Sequence, residues 1–490
     1  MTTATESTSL GRKVLDYFKG FAVLKETRKE YWGLQAINFL DMTAYFSLYG
    51  IVVVLLSEDF GFSDIHAGYI FTAFTLGTTI CLWFSGLFTD WLGIRRTIYL
   101  SMAALLVTRL IVIWAGLQES LPYRGYVAAG AIVLMAPGMA MVQTMLQAAN
   151  RRFTTARSRG PGFNLWYLFM NVGAACGGFI IDLVRKNLGL PNTYILFFSI
   201  FSAVACMAVA FFVIRREDQL YGPGEVPDVK PSVDKRKKPW EIAWSVVSHP
   251  VFWRFMVLVV CLLGVRAVFL YLHLLYPKFW LRVIGPEAAI GTMQAINPIL
   301  VIIGLILLVP ILHRFSVYAM LTYGAIISAL SMFVMAVPSY GQTTYTITLL
   351  SLIVLTVGEI IWSPRLQEYT AAIAPKGQEG TYLGLSLFPW FFAKGAVSFL
   401  SGHMLARWIP EFPEGEPLLR DRLAAGQVAF WDSPSALFTI LGIVALAGPV
   451  IALAMRRWFT KGASWNREEA DREIEARKNR EAQQNGEAVS

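Results

Sequence analysis

The chain has 490 residues and a formal net charge of +9, yet only 15% of its residues are charged and 56% are hydrophobic. An ordinary soluble domain carries about 25% charged residues, so this composition excludes a soluble globular protein and points to a polytopic membrane protein. The basic residues fall in the connections that the positive-inside rule assigns to the cytoplasm, so the charge does not argue for nucleic acid.

Residues 1–30 are polar and include Arg12, Lys13, Lys19, Lys25, Arg28 and Lys29. They lack the short apolar stretch and cleavage site of a signal peptide, so the first span is expected to double as the signal. Apolar runs follow near 31–56, 67–89, 97–117, 125–149, 162–184, 192–214, 251–276, 289–312, 316–337, 344–373, 381–407 and 435–458. Each is near the roughly 20 residues a bilayer needs, which predicts twelve transmembrane helices in an all-α membrane protein. Even-numbered connections carry Arg95/Arg96, then Arg151, Arg152, Arg157 and Arg159, then Arg215/Arg216, then Arg314, whereas the first odd one carries Glu58, Asp59 and Asp64. Both termini are therefore expected in the cytoplasm, in the cell membrane. The proline-bearing stretch 215–250 separates the spans six and six and reads as a linker between an N-terminal bundle at 31–214 and a C-terminal one at 251–458. Its Lys235–Lys238 run beside Trp240 and Trp244 is either an element lying on anionic headgroups or an ordinary loop. The tail, 459–490, is polar and reads as cytoplasmic. Cys81, Cys176, Cys206 and Cys261 lie within apolar segments with no metal-ligand spacing, so they are read as packing residues, and no cofactor or metal is expected.

The tenth run contains Gly358-Glu359-Ile-Ile-Trp-Ser363-Pro364. A carboxylate at that depth costs several kcal/mol unless it meets a partner or water, which makes Glu359 the first candidate for a substrate or proton site. Thr356, Glu359 and Ser363 share one helix face, and Pro364 is expected to break the helix there. Asn38, Asp41, Tyr45 and Tyr49 form a polar stripe in the first span, as do Asn164, Tyr167 and Asn171 in the fifth. Arg109, Arg266, His273 and Lys394 place further charge inside spans. With histidine neutral the cations outnumber Asp41 and Glu359 by one, and a leftover cation would suit an anionic group on a substrate. Arg266 can hold a carboxylate with two bonds; Lys394 either meets substrate or pairs with Glu359; Arg109 is read as structural. His273 is read either as a proton carrier or as a hydrogen-bonded core histidine.

Between the second and third runs, Gly86-Leu-Phe-Thr-Asp90-Trp-Leu-Gly93-Ile-Arg95-Arg96 resembles the GxxxDxxGxRR signature of the major facilitator superfamily. That resemblance implies two six-helix bundles working by alternating access, with Gly86, Asp90, Gly93, Arg95 and Arg96 in conformational gating. Three further stretches resemble the proton-coupled oligopeptide transporter family within it. Phe163-Asn164-Leu-Trp166-Tyr167-Leu-Phe-Met-Asn171-Val-Gly173 is similar to FYxxINxG, Gln294-Ala-Ile-Asn297-Pro298 to QxxNP, and Gly358 through Pro364 to GExxxSP. The resemblance implies that Glu359 receives a peptide amino group.

The first helix departs from that family's ExxERFxxYG: Asp41 survives, but Ala44 and Tyr45 replace the second glutamate and the arginine, ahead of Tyr49-Gly50. The fourth-helix lysine and the seventh-helix FWxxxEQ are absent. The expected cargo contacts are accordingly Glu359, Arg266, Lys394, Tyr45, Tyr49, Trp166, Asn171, Asn297 and Ser363, and the expected proton-coupling groups are Asp41, Glu359 and His273. The leading expectation is a monomeric carrier, not an enzyme, that takes up short peptides or related amino-carboxylate compounds with protons. The alternatives are a carrier or exchanger for another organic anion or zwitterion, and a transport-inactive sensor or partner subunit.

Overall fold

The computed structural model describes residues 19–222, 248, 250–308, 315–373, 388–413 and 415–459, apart from the side chains at 87, 90, 156, 250–251, 367–373 and 388. The basic linker cluster, Arg314, the first residues of the eleventh run and the tail from 460 lie outside the described residues, as does the side chain of Asp90.

Twelve long helical segments follow the predicted order. They are α1 (Lys29–Tyr49), α2 (Asp64–Leu92), α3 (Ile94–Leu117), α4 (Arg124–Arg152), α5 (Ala156–Asp182), α6 (Ile195–Phe212), α7 (Pro250–Leu274), α8 (Ile290–Leu307), α9 (Val317–Met335), α10 (Gln342–Ile373), α11 (Phe388–Trp408) and α12 (Pro434–Ala454). Among the described residues ten of them are long and apolar enough to cross a membrane, and α1 makes eleven when joined to Val52–Asp59, from which it bends by 45°. Local sequence sets several starts: Ser63 accepts from the His66 amide, Ser316 from that of Ala319, and Thr155 and Ser158 cap each other at α5.

Pro364 does not end its helix. The α10 backbone runs through it to Ile373, and Pro298 likewise sits inside α8. A proline removes one ladder bond, and close helix neighbours in a membrane bundle can absorb that loss, so the expected break is absent.

The helices pack by halves. In the first, α1 lies on α5 and α6, α3 on α4 and α6, and α2 on α4; in the second, α9 packs on α10 and α12, α7 on α11 and α12, and α8 on α10. Two long seams join the halves, α5 on α8 and α2 on α11. Lipid tails are as apolar as the helices, so association depends on close backbone approach rather than on hydrophobic burial. At the α5/α8 seam Gly178 and Gly291 meet so closely that a Cβ on either would collide with the carbonyl of the other.

Gly291→Val is therefore expected to wedge this seam at a cost of about 1–3 kcal/mol and to lower the melting temperature by several degrees. Gly130→Val, whose added Cβ meets nothing within 4 Å, should leave it unchanged. Equal melting of the two variants in a fluorescence-detected thermal scan would refute the tight seam.

Candidate functional site

Glu359 sits on α10 and is half-buried. The Asn297 side chain on α8 donates to its Oε2 at 3.0 Å and to Thr356 Oγ1 at 2.8 Å, and Thr356 in turn donates to the Leu352 carbonyl. Both amide hydrogens of Asn297 are thus committed to one face of α10, which is what sharing a face at i and i+3 allows. Tyr167 of α5, in the other half, is close enough to interact electrostatically with Glu359. No cation lies within 4 Å of Glu359 among the described residues.

The cations are elsewhere. Arg266 on α7 stacks its guanidinium over the Trp390 ring of α11, 4.5 Å from the centroid, and Lys394 places its ammonium 5.9 Å from the same ring. Neither has a carboxylate within 4 Å or a protein hydrogen-bond acceptor among the described residues, and Lys394 does not pair with Glu359. The enclosed, unpartnered polar atoms include Nε and Nη2 of Arg109 but none of Glu359, Arg266 or Lys394. The last three are unpaired without being sealed. Both cations stand on helices that reach the other half. His273, two turns beyond Arg266 on α7, touches Phe46 and Tyr49 of α1, and Ser398, one turn beyond Lys394, meets Gly68 of α2.

Asp41 occupies a different place. It is 2% exposed and faces away from the seam, toward α3 and α6, where it interacts with Arg109 (1% exposed) and Cys206. Arg109 donates to the Ser199 carbonyl at 3.0 Å. Tyr45 lies between Asp41 and Tyr49, stacked on the latter at 5.0 Å, and Tyr49 meets His273 edge-on at 5.1 Å. An aromatic line therefore runs from the buried acid of the first half to the histidine of the second. Asn171 donates to its own helix at the Tyr167 carbonyl, the Trp166 carbonyl accepts from Asn38, and the Trp166 and His273 ring nitrogens Nε1 and Nδ1 are enclosed without partners. Ser363 is half-buried and does not join the Asn297 network.

In the gating stretch, Gly93 turns the chain with φ 82°. Glu217, beyond α6, accepts from the amides of Ile94 and Arg95 at 2.7 and 3.3 Å, a carboxylate on the positive end of α3. Arg95 donates to the Phe211 carbonyl and lies over Phe211 and Tyr99, whereas Arg96 is exposed and Gly86 half-buried. Glu217 was not singled out in the sequence, although an acid directly after Arg215/Arg216 is an available signal.

The polar ties between halves gather at the end bearing the 57–63 connection. Asp182 of α5 accepts from the amides of Gly291 and Thr292 and from the Thr292 hydroxyl at 2.8, 2.7 and 2.5 Å, capping α8 from the opposite half. Gln294 donates to the Gly50 carbonyl at 2.7 Å, where α1 bends. Arg282 grips Asp64 with both terminal nitrogens at 2.7 and 3.0 Å and reaches Glu411, and Lys278 lies 3.6 Å from Asp64. Burial, reinforced by Arg282, holds the Lys278 ammonium below its usual range, against the pull of Asp64 and Glu411. Nothing in the sequence pairs these residues with one another, and only the fold brings them together.

Half-buried charges at a seam between two helical halves, closed at one end, define a membrane carrier. The sequence model of the Major Facilitator Superfamily matches residues 34–407, and the chain belongs to that superfamily. It is a transporter and not an enzyme, and its fold resembles that of the proton-coupled oligopeptide transporters. The POT family transporter PepTSo has a TM-score of 0.61 at 15% identity, covering 89% of this chain and 99% of its own. A POT family transporter in complex with 5-aminolevulinic acid gives 0.63 at 11% identity, with 88% and 96% covered. A peptide transporter POT in complex with sulfate gives 0.64 at 13%, with 89% and 95% covered. No curated protein sequence matches the chain.

Asp182→Ala leaves three donors without their acceptor, a loss of about 1–3 kcal/mol from the closed arrangement. Spin labels at the exposed positions Leu188 and Glu287 should then show a longer distance population in double electron–electron resonance. An unchanged distribution would remove Asp182 from the closure.

Proposed function

We propose that the protein is a proton-coupled carrier that takes up short peptides or related amino-carboxylate compounds across the cell membrane, with both termini in the cytoplasm and the closed end outward. The observation that carries this reading is the separation of unpaired charge at the seam: an acid, Glu359, without a cation, and two cations, Arg266 and Lys394, without an acid. A ligand with an amine at one end and a carboxylate at the other complements that arrangement. Intramembrane ionisable groups left unpaired in this way are functional sites by default.

In this reading Glu359 takes the amine when ionised, with Asn297 and Thr356 fixing its rotamer, and Arg266 holds the carboxylate through its planar fork. Tyr45, Tyr49, Trp166 and Asn171 belong to the first-half wall. Coupling requires a carboxyl group whose charge changes between the two access states. Glu359 meets that need, since its only hydrogen-bond donor among the described residues is neutral. Asp41 would act from within the first half, through Arg109 on one side and the Tyr45–Tyr49–His273 line on the other. That fold neighbours were solved with 5-aminolevulinic acid and with a thioalcohol-conjugated peptide supports cargo of this chemistry.

In liposomes with an imposed inward proton gradient, Glu359→Gln should abolish concentrative uptake of a dipeptide while the variant stays folded. Arg266→Ala should raise the half-saturating concentration of carboxylate-bearing cargo at least about tenfold, as for one lost charge-assisted contact. Undiminished accumulation in Glu359→Gln would remove the proposed coupling.

A further inference from the structure

We infer that the preferred cargo is net anionic: an amino-carboxylate compound with a second acidic group, such as a short peptide with an acidic side chain, its two anionic groups received by Arg266 and Lys394. This rests on the reading of Glu359 as the amine site.

Arg266 and Lys394 approach a single indole, Trp390, from two different helices. Two like charges held this close repel each other, and an aromatic face attracts a cation without neutralising it. Among the described residues no acid pairs with either of them. Asp41, on α1 of the first half, is 2% exposed and lies nearer to Arg109 than to these two cations. Glu359 is engaged by the neutral Asn297. Among the described residues, the second half therefore holds two cations, Arg266 and Lys394, and one acid, Glu359, that are open and without an ion partner.

A zwitterion with one carboxylate would satisfy Glu359 and one cation and leave the other bare. A second anionic group completes the balance once cargo has displaced water from around both cations. The two cations suit different partners: the guanidinium fork of Arg266 a planar carboxylate with two bonds, and the Lys394 ammonium a single oxygen of a more mobile group. All three charged contacts lie on α7, α10 and α11 of the same half, so cargo would be held by the second half and only walled by the aromatic groups of the first.

Binding to the purified full-length protein would be measured by calorimetry with four probes: Ala-Glu, Ala-Ala, Ala-Lys and glutarate, a dicarboxylate without an amine. Ala-Glu should bind about tenfold tighter than Ala-Ala, and Ala-Lys weakest. Lys394→Gln should bring Ala-Glu down to the level of Ala-Ala, and Lys394→Arg should retain the preference. Equal binding of Ala-Glu and Ala-Ala to the wild type, a preference for Ala-Lys, or an undiminished preference in Lys394→Gln overturns the inference. If glutarate binds as tightly as Ala-Glu and loses that affinity in Lys394→Gln, the two-cation site stands and the amine role of Glu359 falls. Failure of both Ala-Glu and glutarate to bind refutes the two-cation site itself.

Discussion

The arrangement of the seam follows from a single constraint: a charge inside a membrane protein must be paired or face water, and among the described residues Glu359, Arg266 and Lys394 are not paired with one another. Glu359 is held by an amide and Arg266 and Lys394 by an indole, whereas in the first half Asp41 and Arg109 are enclosed near each other without a direct ion pair. In the function proposed above, cargo supplies the partners that the open charges of the second half lack.

The packing serves the same end. Two glycines let α5 and α8 touch backbone to backbone, and the Asp182 cap, the Gln294 bond to Gly50 and the Arg282–Asp64 pair fasten the halves at that level. Each tie joins a residue of one half to a residue of the other, so each must be released if the halves are to part there. A carrier of this superfamily needs such a set: strong enough to hold one access state, and made of polar contacts that water can replace.

Much of this was legible in the sequence. The twelve segments and their order follow from apolar run length; Glu359 stands out as a carboxylate at membrane depth, Thr356 through the helix face it shares, and Asn297 through the stretch that resembles QxxNP. The motif around Gly93 also announced its turn. Other parts were not legible, for definite reasons. Pro364 marks a break only if neighbours fail to compensate for the lost backbone bond, and that depends on tertiary packing. The inward-facing side of the Asn38–Tyr49 stripe is set by which helices surround α1, so Asp41 turns to Arg109 and Cys206 while Tyr45 and Tyr49 turn to the seam. That Lys394 does not pair with Glu359 required knowing that it sits beside the Trp390 ring, which Arg266 shares. The roles of Asp182, Arg282 and Glu217 are not legible because their partners are more than a hundred residues away in sequence.

The central claim is that Glu359 meets cargo at the seam, and the most direct measurement is a cryo-electron-microscopy structure of the protein with a short acidic peptide bound. The account predicts the peptide amine within hydrogen-bond distance of a Glu359 carboxylate oxygen, with its anionic groups against Arg266 and Lys394 beside Trp390. Peptide density remote from α10, with Glu359 still engaged only by Asn297, would contradict it.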